Sequence, residues 1–306
     1  MSNNKASVSA RKIGHATLET PDLARELDHY VDIVGLVPSG KENGRTILST
    51  IVGEEVLVLS QGTTPRLTAL SLQVQPGLEL GELQRRLKTR GIDCKRRTDT
   101  TPRLPEVMVF TDPCGNQIEL YSAVREMNEP QASTGVAPLK LGHVAFMVPK
   151  AKVLIDFYTQ ALGFRVSDWM GDYFAFLRCG PDHHTLNFLD GEQTRLHHIA
   201  FELKDWAHVQ SACELLGRRK RQIIWGPGRH GIGHNIFIYH RDEDDHIVEF
   251  YIEMDQMLDE ELGYFQPRPW HRDRPQKPKV WERMPAALTW GTPPTEEFLR
   301  SHFRRS

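Results

Sequence analysis

Two histidines and one glutamate in the second half of the chain have the residue types and apolar surroundings of metal ligands. His143 lies in the middle of the apolar run 141–148, and His198 begins a similar run at 198–201. Glu249 has apolar residues on both sides, and a carboxylate in such a strand is costly to bury unless it is paired or binds a metal. Two imidazoles and one carboxylate form the facial ligand set of non-haem Fe(II) sites, which leave positions open for O2 and a bidentate substrate.

The adjacent His197 is expected to behave differently from His198. Neighbouring side chains in a strand point to opposite faces, so the alternation predicts that His197 lies behind the ligands or at the surface. A single histidine on a strand is more often a hydrogen-bonded structural residue than a ligand. The case for His143 and His198 as ligands depends on their equivalent places in two related strands.

An internal repeat creates these equivalent places. Residues 13–18 (IGHATL) resemble residues 141–146 (LGHVAF), and the ends of the two halves contain the related segments IELY at 118–121 and VEFY at 248–251. The offset is 128 residues at the start of each half and 130 at its end. Equivalent pairs are His15 and His143, Tyr30 and Tyr158, Gly35 and Gly163, and Glu119 and Glu249.

Each half divides again into two units with the order strand, helix, then two or three strands. Alternating apolar residues predict the strands, and apolar residues at helical spacing followed by Gly35 or Gly91 predict the helices and their ends. We therefore expect an α+β fold of four βαβββ modules paired into two domains, residues 1–130 and residues 131–256. A linker rich in Pro, Ser, Gly and Asn at 126–138 would join them.

Residues 257–306 have a different composition from the rest of the chain. They contain seven of the 19 prolines, which oppose regular structure, and three of the six tryptophans, which need burial. These tryptophans are Trp270, Trp281 and Trp290. We expect an extended tail that packs on the body of the protein or on a neighbouring subunit.

The first half is expected to be a vestigial copy without a metal. It retains His15 and Glu119, but Ala69 stands at the position of His198. One of the three ligands is therefore missing, and His15 is expected to be an ordinary packed or hydrogen-bonded residue.

The composition argues against several classes of partner. The chain has 38 basic and 40 acidic residues, so it lacks the basic surface of a protein that binds nucleic acid or a charged membrane. No apolar run approaches the roughly 20 residues that span a bilayer. The four cysteines have no CxxC spacing, and with the polar start of the chain they indicate a cytoplasmic protein without structural zinc.

The paired modules resemble the vicinal oxygen chelate superfamily, the glyoxalase/bleomycin-resistance/extradiol dioxygenase-like fold. Residues 226–231 (GPGRHG), followed by His234, Tyr239 and Glu249, resemble the type I extradiol ring-cleavage dioxygenases of the catechol 2,3-dioxygenase kind. The resemblance covers about residues 10–255. It implies Fe(II), or less often Mn(II), held by His143, His198 and Glu249.

The same resemblance implies an activity and roles for further residues. The substrates would be a substituted catechol and O2, the product a ring-opened semialdehyde or keto acid, and the assembly a homo-tetramer or homo-octamer. His230 and Tyr239 would orient the catechol and take up its proton. His184 would stabilise charge on O2 and act as an acid, with His183 as the alternative for that role.

Substrate contacts are less constrained by the pattern. His234 is expected to be a pocket or hydrogen-bonding residue, and Phe174, Phe176, Phe188 and Ile236 are equally well explained as pocket walls or as core. A catechol with an alkyl, aryl or carboxylate group would fit, and four arginines could pair a carboxylate. These are Arg178, Arg195, Arg221 and Arg229.

One departure from the family pattern lies just before Glu249. The last hairpin of the first half has the usual Asp-Pro-x-Gly turn at 112–115, whereas residues 241–245 (RDEDD) are expected to form a longer acidic turn.

Two other functions remain open from the sequence. A glyoxalase-type metal-dependent isomerase would keep the fold but perform no O2 chemistry. A non-catalytic small-molecule-binding protein of the same superfamily would not require the three metal ligands together.

Overall fold

A computed structural model describes residues 8–98, 100–125, 132–266 and 277–303. Part of the predicted linker, the predicted boundary between residues 130 and 131, and Trp270 lie outside these ranges. None of the helices within them has the length and apolar character needed to cross a lipid bilayer.

The described residues fold into two sheets, and each sheet is built from two βαβββ modules. The first sheet has eight strands in the order β2-β3-β4-β1-β5-β8-β7-β6. Within it, β1 runs parallel to β4, β5 runs parallel to β8, and the antiparallel pair β1–β5 joins the two modules. Its elements are β1 (Ala10–Thr20), α1 (Leu23–His29), β2 (Val37–Glu42), β3 (Arg45–Ser49), β4 (Glu55–Gln61), β5 (Arg66–Val74), α2 (Leu80–Lys88), β6 (Lys95–Arg97), β7 (Val107–Thr111) and β8 (Gln117–Tyr121).

The second sheet repeats this plan and gains one strand at each edge. Its order is β17-β10-β11-β12-β9-β13-β16-β15-β14-β18, with the antiparallel pair β9–β13 at the junction of its modules. Its elements are β9 (Lys140–Val148), α3 (Ala151–Leu162), β10 (Arg165–Met170), β11 (Phe174–Arg178), β12 (Leu186–Asp190), β13 (Arg195–Glu202), α4 (Trp206–Arg218), β14 (Trp225–Arg229), β15 (Ile236–Arg241), β16 (Ile247–Ile252), β17 (Lys279–Trp281) and β18 (Trp290–Gly291).

This architecture confirms the predicted two-domain α+β fold of four βαβββ modules. The helices end as their sequences suggest: Gly35 and Gly163 take the left-handed conformation at the ends of equivalent helical segments. A π-helical turn (Tyr30–Val34) continues α1 to Gly35. The main apolar core fills the space between the helices and the sheets, with Leu70, Phe146 and Phe250 among its buried members.

Two strands of the first domain form from residues that do not favour strands. β2 (Val37–Glu42) contains Pro38 and Gly40, which oppose strand formation, and β6 (Lys95–Arg97) consists of three basic residues. Both strands lie at sheet edges, where one side needs no partner and such residues are tolerated.

Two equivalent hydrogen bonds are among the contacts between the domains. Tyr30 on the helical segment after α1 donates to Asp242 Oδ2 at 3.0 Å, and Tyr158 on α3 donates to Asp112 Oδ2 at 3.1 Å. Each tyrosine thus reaches the last hairpin of the other domain. The internal repeat therefore gives the interface an approximate two-fold symmetry.

The expectation of a longer turn before Glu249 is wrong. The Oδ1 atom of Asp242 accepts from the backbone N–H groups of Asp244 and His246, as Asp112 Oδ1 does from Cys114 and Asn116. The hairpins have equal lengths because Asp245 adopts the left-handed conformation that Gly115 adopts in the first domain. The acidic residues change the chemistry of this turn and leave its backbone fold intact.

The described part of the tail lies along the second domain. β17 pairs with β10 and β18 pairs with β14, so the tail occupies both edges of the second sheet. Two short helices, α5 (Arg283–Ala287) and α6 (Glu296–Phe303), lie in the same segment. The buried ring of Phe298 on α6 packs against Trp225 at a centroid distance of 4.7 Å.

Candidate metal centre and its cavity

Four adjacent strands of the second sheet place the candidate site residues on one face. Ala200 in β13 pairs with His143 in β9 and with Glu249 in β16, and Glu249 pairs in turn with Tyr239 in β15. Side chains at paired positions lie on the same face of a sheet. His198 lies two residues before Ala200 and shares that face.

The ligand atoms of His143, His198 and Glu249 converge. His143 Nε2 lies 3.1 Å from His198 Nε2 and 3.0 Å from Glu249 Oε2, and the His198 Nε2–Glu249 Oε2 distance is 3.4 Å. All three side chains are almost completely buried. Two imidazole nitrogens and one carboxylate oxygen therefore form a nearly equilateral triangle inside the protein.

This triangle fits a first-row divalent cation. Ligands in neighbouring positions of an octahedral ion, each about 2.1 Å from the metal, lie about 3.0 Å apart. The donor set of two imidazoles and one carboxylate suits Fe(II) and Mn(II). Three protein ligands would leave further coordination positions of such an ion open to exogenous ligands.

Asn235 orients the glutamate and was not predicted as a site residue. Its side-chain amide donates to Glu249 Oε1 at 2.9 Å, which leaves Oε2 directed towards the two histidines. Asn235 is 1% exposed. The only sequence signal was its position beside His234 in the glycine-rich loop, and that position does not reveal a contact with a residue 14 positions further on.

The three ligands border a cavity of about 660 Å³. Its remaining walls are mainly apolar and come from β9, β10, β11, β12, the loop before β15 and the tail. The tail contributes residues such as Leu288, Pro293 and Phe298. Apolar wall residues of the second sheet and its loops include Met147, Met170, Phe174, Phe176, Leu189 and Ile232.

A buried chain of hydrogen bonds ends at His184, whose ring lies 4.4 Å from that of His143. His183 Nε2 is 3.0 Å from Asp168 Oδ2, and His183 Nδ1 is 3.0 Å from His184 Nδ1. Because a carboxylate only accepts, His183 carries its proton on Nε2, and His184 then donates from Nδ1 to His183. This pattern leaves His184 Nε2 unprotonated and available to the cavity.

His230 and Tyr239 form a second polar pair in the cavity wall. His230 Nδ1 donates to the carbonyl oxygen of Ala287 in α5 at 2.6 Å, so its Nε2 accepts the hydroxyl proton of Tyr239 at 3.0 Å. Burial lowers the pKa values of His230 and His184 below the usual histidine range. Burial, followed by the charge of Glu249, raises the pKa of Tyr239 well above its usual range. Both histidines are therefore neutral and Tyr239 keeps its proton.

The other predicted residues are distributed between the cavity and its surroundings. His184, His230 and Tyr239 line the cavity, whereas His183 lies behind His184. His234 and Ile236 are not among the lining residues: His234 pairs with Asp255 at 2.5 Å, and Ile236 belongs to the core. Phe174 and Phe176 are cavity walls, and Phe188 is core.

The predicted face of His197 is wrong, whereas its predicted place behind a metal ligand agrees with its contact with His198. His197 lines the cavity together with His198, and the two Nδ1 atoms are 2.6 Å apart. The register of β13 against β9 shifts between Leu196 and His198, which indicates a β-bulge. A bulge interrupts the alternation of side chains and brings two consecutive residues towards the same side.

The equivalent residues of the first domain are engaged with each other. Glu119 Oε1 pairs with Arg97 at 2.8 Å, and Glu119 Oε2 lies 3.4 Å from His15 Nε2. His15 Nδ1 lies 3.1 Å from the hydroxyl of Ser71. A guanidinium therefore neutralises the glutamate that corresponds to Glu249.

The family model described as Glyoxalase/Bleomycin resistance protein/Dioxygenase superfamily matches residues 12–120 and 140–250. The chain therefore belongs to this superfamily, and the resemblance noted in its sequence is confirmed at this level. The two matched ranges correspond to the two domains of paired modules.

Individual proteins match most of the chain at modest sequence identity. Metapyrocatechase 2 of Cupriavidus necator is 27% identical, with the match covering 81% of this chain and 82% of that protein. The iron-dependent extradiol dioxygenase of Rhodococcus jostii is 24% identical, covering 83% and 92%. The structure of homoprotocatechuate 2,3-dioxygenase from Brevibacterium fuscum, in an anaerobic complex with 3,4-dihydroxyphenylacetate, has a TM-score of 0.80, 23% identity, and coverage of 96% and 93%. At this low sequence identity, the structural match shows that the two proteins share a fold.

Proposed function

We propose that the protein is an extradiol ring-cleavage dioxygenase that opens an alkyl- or aryl-substituted catechol with O2. The observation that carries this proposal is the convergence of His143, His198 and Glu249 at the wall of an apolar cavity that also presents His184, His230 and Tyr239. The names of the relatives, metapyrocatechase and iron-dependent extradiol dioxygenase, support the same class of reaction.

The proposed reaction breaks the carbon–carbon bond beside the diol and inserts both atoms of O2 into the product. Atoms and electrons balance without another reductant, because the catechol itself supplies the electrons. Fe(II), or Mn(II), held by the two histidines and Glu249 would supply Lewis acidity towards the catechol hydroxyls and one-electron chemistry towards O2. The protein side chains would then handle the substrate and its protons.

His230 and Tyr239 are proposed to orient the catechol. The Tyr239 hydroxyl donates to His230 Nε2, so its oxygen can accept from a catechol hydroxyl. His230 is held by the carbonyl of Ala287 and serves as the final acceptor of this short chain. This arrangement favours binding of a deprotonated catechol oxygen near the metal ligands.

His184 is proposed to act first as a base and then as an acid. Its unprotonated Nε2 can accept a proton from the second catechol hydroxyl. The resulting imidazolium would be stabilised through His183 by the buried carboxylate of Asp168, which lies at the other end of the chain. It can then return the proton while the O–O bond is broken.

The cavity favours an uncharged substituent on the ring. None of the four arginines considered from the sequence lines it: Arg178 pairs with Glu260, Arg229 with Glu253 and Arg221 with Glu243, while Arg195 lies outside the lining. The arginine in the lining is Arg283, which is exposed to solvent. We therefore propose a methyl, longer alkyl or phenyl group rather than a carboxylate.

The setting of this reaction is part of the same proposal. All four cysteines are free thiols, which is typical of a reducing compartment such as the cytoplasm. Assembly into a homo-tetramer or homo-octamer stays a prediction, to be measured by light scattering coupled to size-exclusion chromatography.

The test is an oxygen-uptake assay with protein purified without oxygen and loaded with Fe(II). Catechols bearing a methyl, a phenyl or a carboxymethyl group would be compared at equal concentration. We expect one O2 consumed per catechol, a yellow ring-opened product, and the lowest kcat/KM for the carboxymethyl compound. Bound iron without oxygen uptake from any of the three would refute the dioxygenase and favour a metal-dependent isomerase. Ligand binding that survives loss of the metal would favour a non-catalytic binding protein.

A further inference from the structure

The two symmetry-related contacts between the domains have the same backbone arrangement but differ in the chemistry of their side chains. Around the Tyr158–Asp112 bond the packing is apolar: Leu154 is fully buried, and the ring of Phe157 lies 5.9 Å from that of Phe110. The equivalent residues around the Tyr30–Asp242 bond are ionisable. In that contact Glu26 replaces Leu154, His29 replaces Phe157, His240 replaces Phe110, Asp244 replaces Cys114 and His246 replaces Asn116.

Glu26 is the feature that this packing does not explain. Its side chain is 0% exposed, and within the described ranges neither of its carboxyl oxygens has a hydrogen-bond donor. The nearby arginines, Arg25 and Arg221, pair with Glu243 instead. A buried carboxylate that no donor faces is strongly unfavourable, so Glu26 needs either a proton, which it would share with Asp242, or a cation.

Two further ligand-type groups face Glu26. A carboxylate oxygen of Glu26, a carboxylate oxygen of Asp244 and a ring nitrogen of His246 all lie within 4.8 Å of one another. Asp244 Oδ2 is itself buried without a hydrogen-bond partner. Small side-chain rotations would bring three such atoms to the separation of about 3.4 Å that ligands have on a tetrahedral ion.

Asp242 supports His246 in the way that carboxylates support metal-binding histidines. Its Oδ2 atom lies 3.0 Å from His246 Nδ1, and this contact fixes the orientation of the ring. Without a cation, burial, then the charge of Asp242 and a hydrogen bond from the Glu26 carboxyl to Asp242, raise the pKa of Glu26 to about 11. A divalent cation would replace the proton on Glu26 and neutralise the acidic hairpin at the same time.

We propose that Glu26, Asp244 and His246 bind a divalent transition-metal cation such as Zn²⁺ between α1 of the first domain and the β15–β16 hairpin of the second. This site is separate from the His143–His198–Glu249 centre and has a structural role. It contains no cysteine, whereas the cysteine spacing argues only against a zinc site made of cysteines. A mixed nitrogen and oxygen set with three ligands suits Zn²⁺, whereas Ca²⁺ takes six to eight oxygen ligands. The cation would connect the two domains, because Glu26 and the other two ligands belong to different domains.

The test uses the untagged full-length chain with His143→Ala and His198→Ala, so that the first centre cannot bind a cation. Isothermal titration with Zn²⁺ is expected to show one site per chain and a rise in melting temperature, because the ion binds only the folded state. Adding Glu26→Gln, which keeps the side-chain shape, or Asp244→Asn should weaken Zn²⁺ binding at least about tenfold. The matched control is Asn116→Ala. Asn116 occupies, in the apolar contact, the position that His246 occupies in the other contact, and its replacement should leave Zn²⁺ affinity unchanged.

Three results would overturn the proposal. They are no Zn²⁺ binding by the folded double variant, Zn²⁺ binding that is unaffected by both Glu26→Gln and Asp244→Asn, and binding of Ca²⁺ in preference to Zn²⁺. In the otherwise unchanged protein, Glu26→Gln is expected to keep its iron content and oxygen uptake. The outcome is therefore independent of the proposed dioxygenase activity.

Discussion

Replacement of Asp168 by asparagine should slow ring cleavage by reversing the protonation of the two histidines between it and the cavity. Asp168 Oδ2 accepts from His183 Nε2 at 3.0 Å and from Trp281 Nε1 at 2.8 Å, while Oδ1 accepts from the backbone N–H of Lys279 at 2.7 Å. An amide has only one acceptor atom. With that oxygen on the backbone N–H of Lys279, the NH2 group takes the place of Oδ2. Trp281 Nε1 then loses its acceptor, and His183 Nε2 must accept from the amide.

The consequence reaches the cavity through two imidazoles. A proton on His183 Nδ1 requires His184 Nδ1 to accept, so the proton of His184 moves to Nε2 and removes the proposed base. Loss of the carboxylate that directly orients a catalytic histidine costs about 10⁴ in kcat in serine proteases. Since Asp168 acts through one additional imidazole, we expect a fall of about 10²-fold, or about 3 kcal/mol in the activation barrier.

The assay is steady-state oxygen uptake with the iron content measured on each sample. The control Trp281→Phe removes one donor but keeps the carboxylate, and we expect kcat to stay within about threefold of the unchanged protein. An Asp168→Asn protein with full iron and an unchanged kcat would refute the proton arrangement. So would a loss of activity explained entirely by lost iron.

Three further predictions concern the support of Glu249, the packing of the tail and the contact between the domains. Asn235→Ala removes the donor to Glu249 Oε1 and should weaken iron binding about 10- to 100-fold, measured by competition with a chelator. Phe298→Ala removes the ring packed 4.7 Å from that of Trp225 and should weaken docking of α6 by about 3 kcal/mol. The expected signs are faster amide hydrogen exchange in the tail and a higher KM. The control Val280→Ala, at an exposed residue of the tail, should change neither quantity. Burial lowers the pKa of His29 to about 4. Between about pH 4 and pH 6.5, His29 is therefore neutral in the folded protein and protonated in the unfolded chain. Its contribution to stability is complete above about pH 6.5 and is lost as the pH falls towards 4. His29→Phe introduces the residue found at the equivalent position 157 of the apolar contact. Between pH 7.5 and pH 4.5, the free energy of unfolding in urea should fall by about 3 kcal/mol less in this variant than in the unchanged protein. The same fall in both proteins would contradict the pKa assigned to His29.

The parts of the structure that follow from periodic patterns were predictable from the sequence. The four βαβββ modules come from apolar alternation and helical spacing, and the repeat places His143, His198 and Glu249 at related strand positions. Their convergence follows from the pairing of β9, β13 and β16, because Ala200 pairs with both His143 and Glu249.

Features that depend on a local irregularity or on distant partners were not predictable. A β-bulge before His198 reverses the face of His197, and nothing in the alternation of residues 195–202 indicates it. The Asp168–His183 bond joins β10 to the loop before β12. Glu26 appears in the sequence as an ordinary helix residue, and its burial follows only from the contact between the domains.

The measurement that tests the central claim most directly is the iron content of a matched pair of variants. Glu249→Ala and Glu119→Ala remove equivalent glutamates from the two halves of the same chain, and both residues are 1% exposed. Purified without oxygen and with Fe(II) supplied, the Glu119→Ala protein is expected to keep one iron per chain and its oxygen uptake, while the Glu249→Ala protein loses both. A folded Glu249→Ala protein that retained tightly bound iron and ring-cleavage activity would contradict the account.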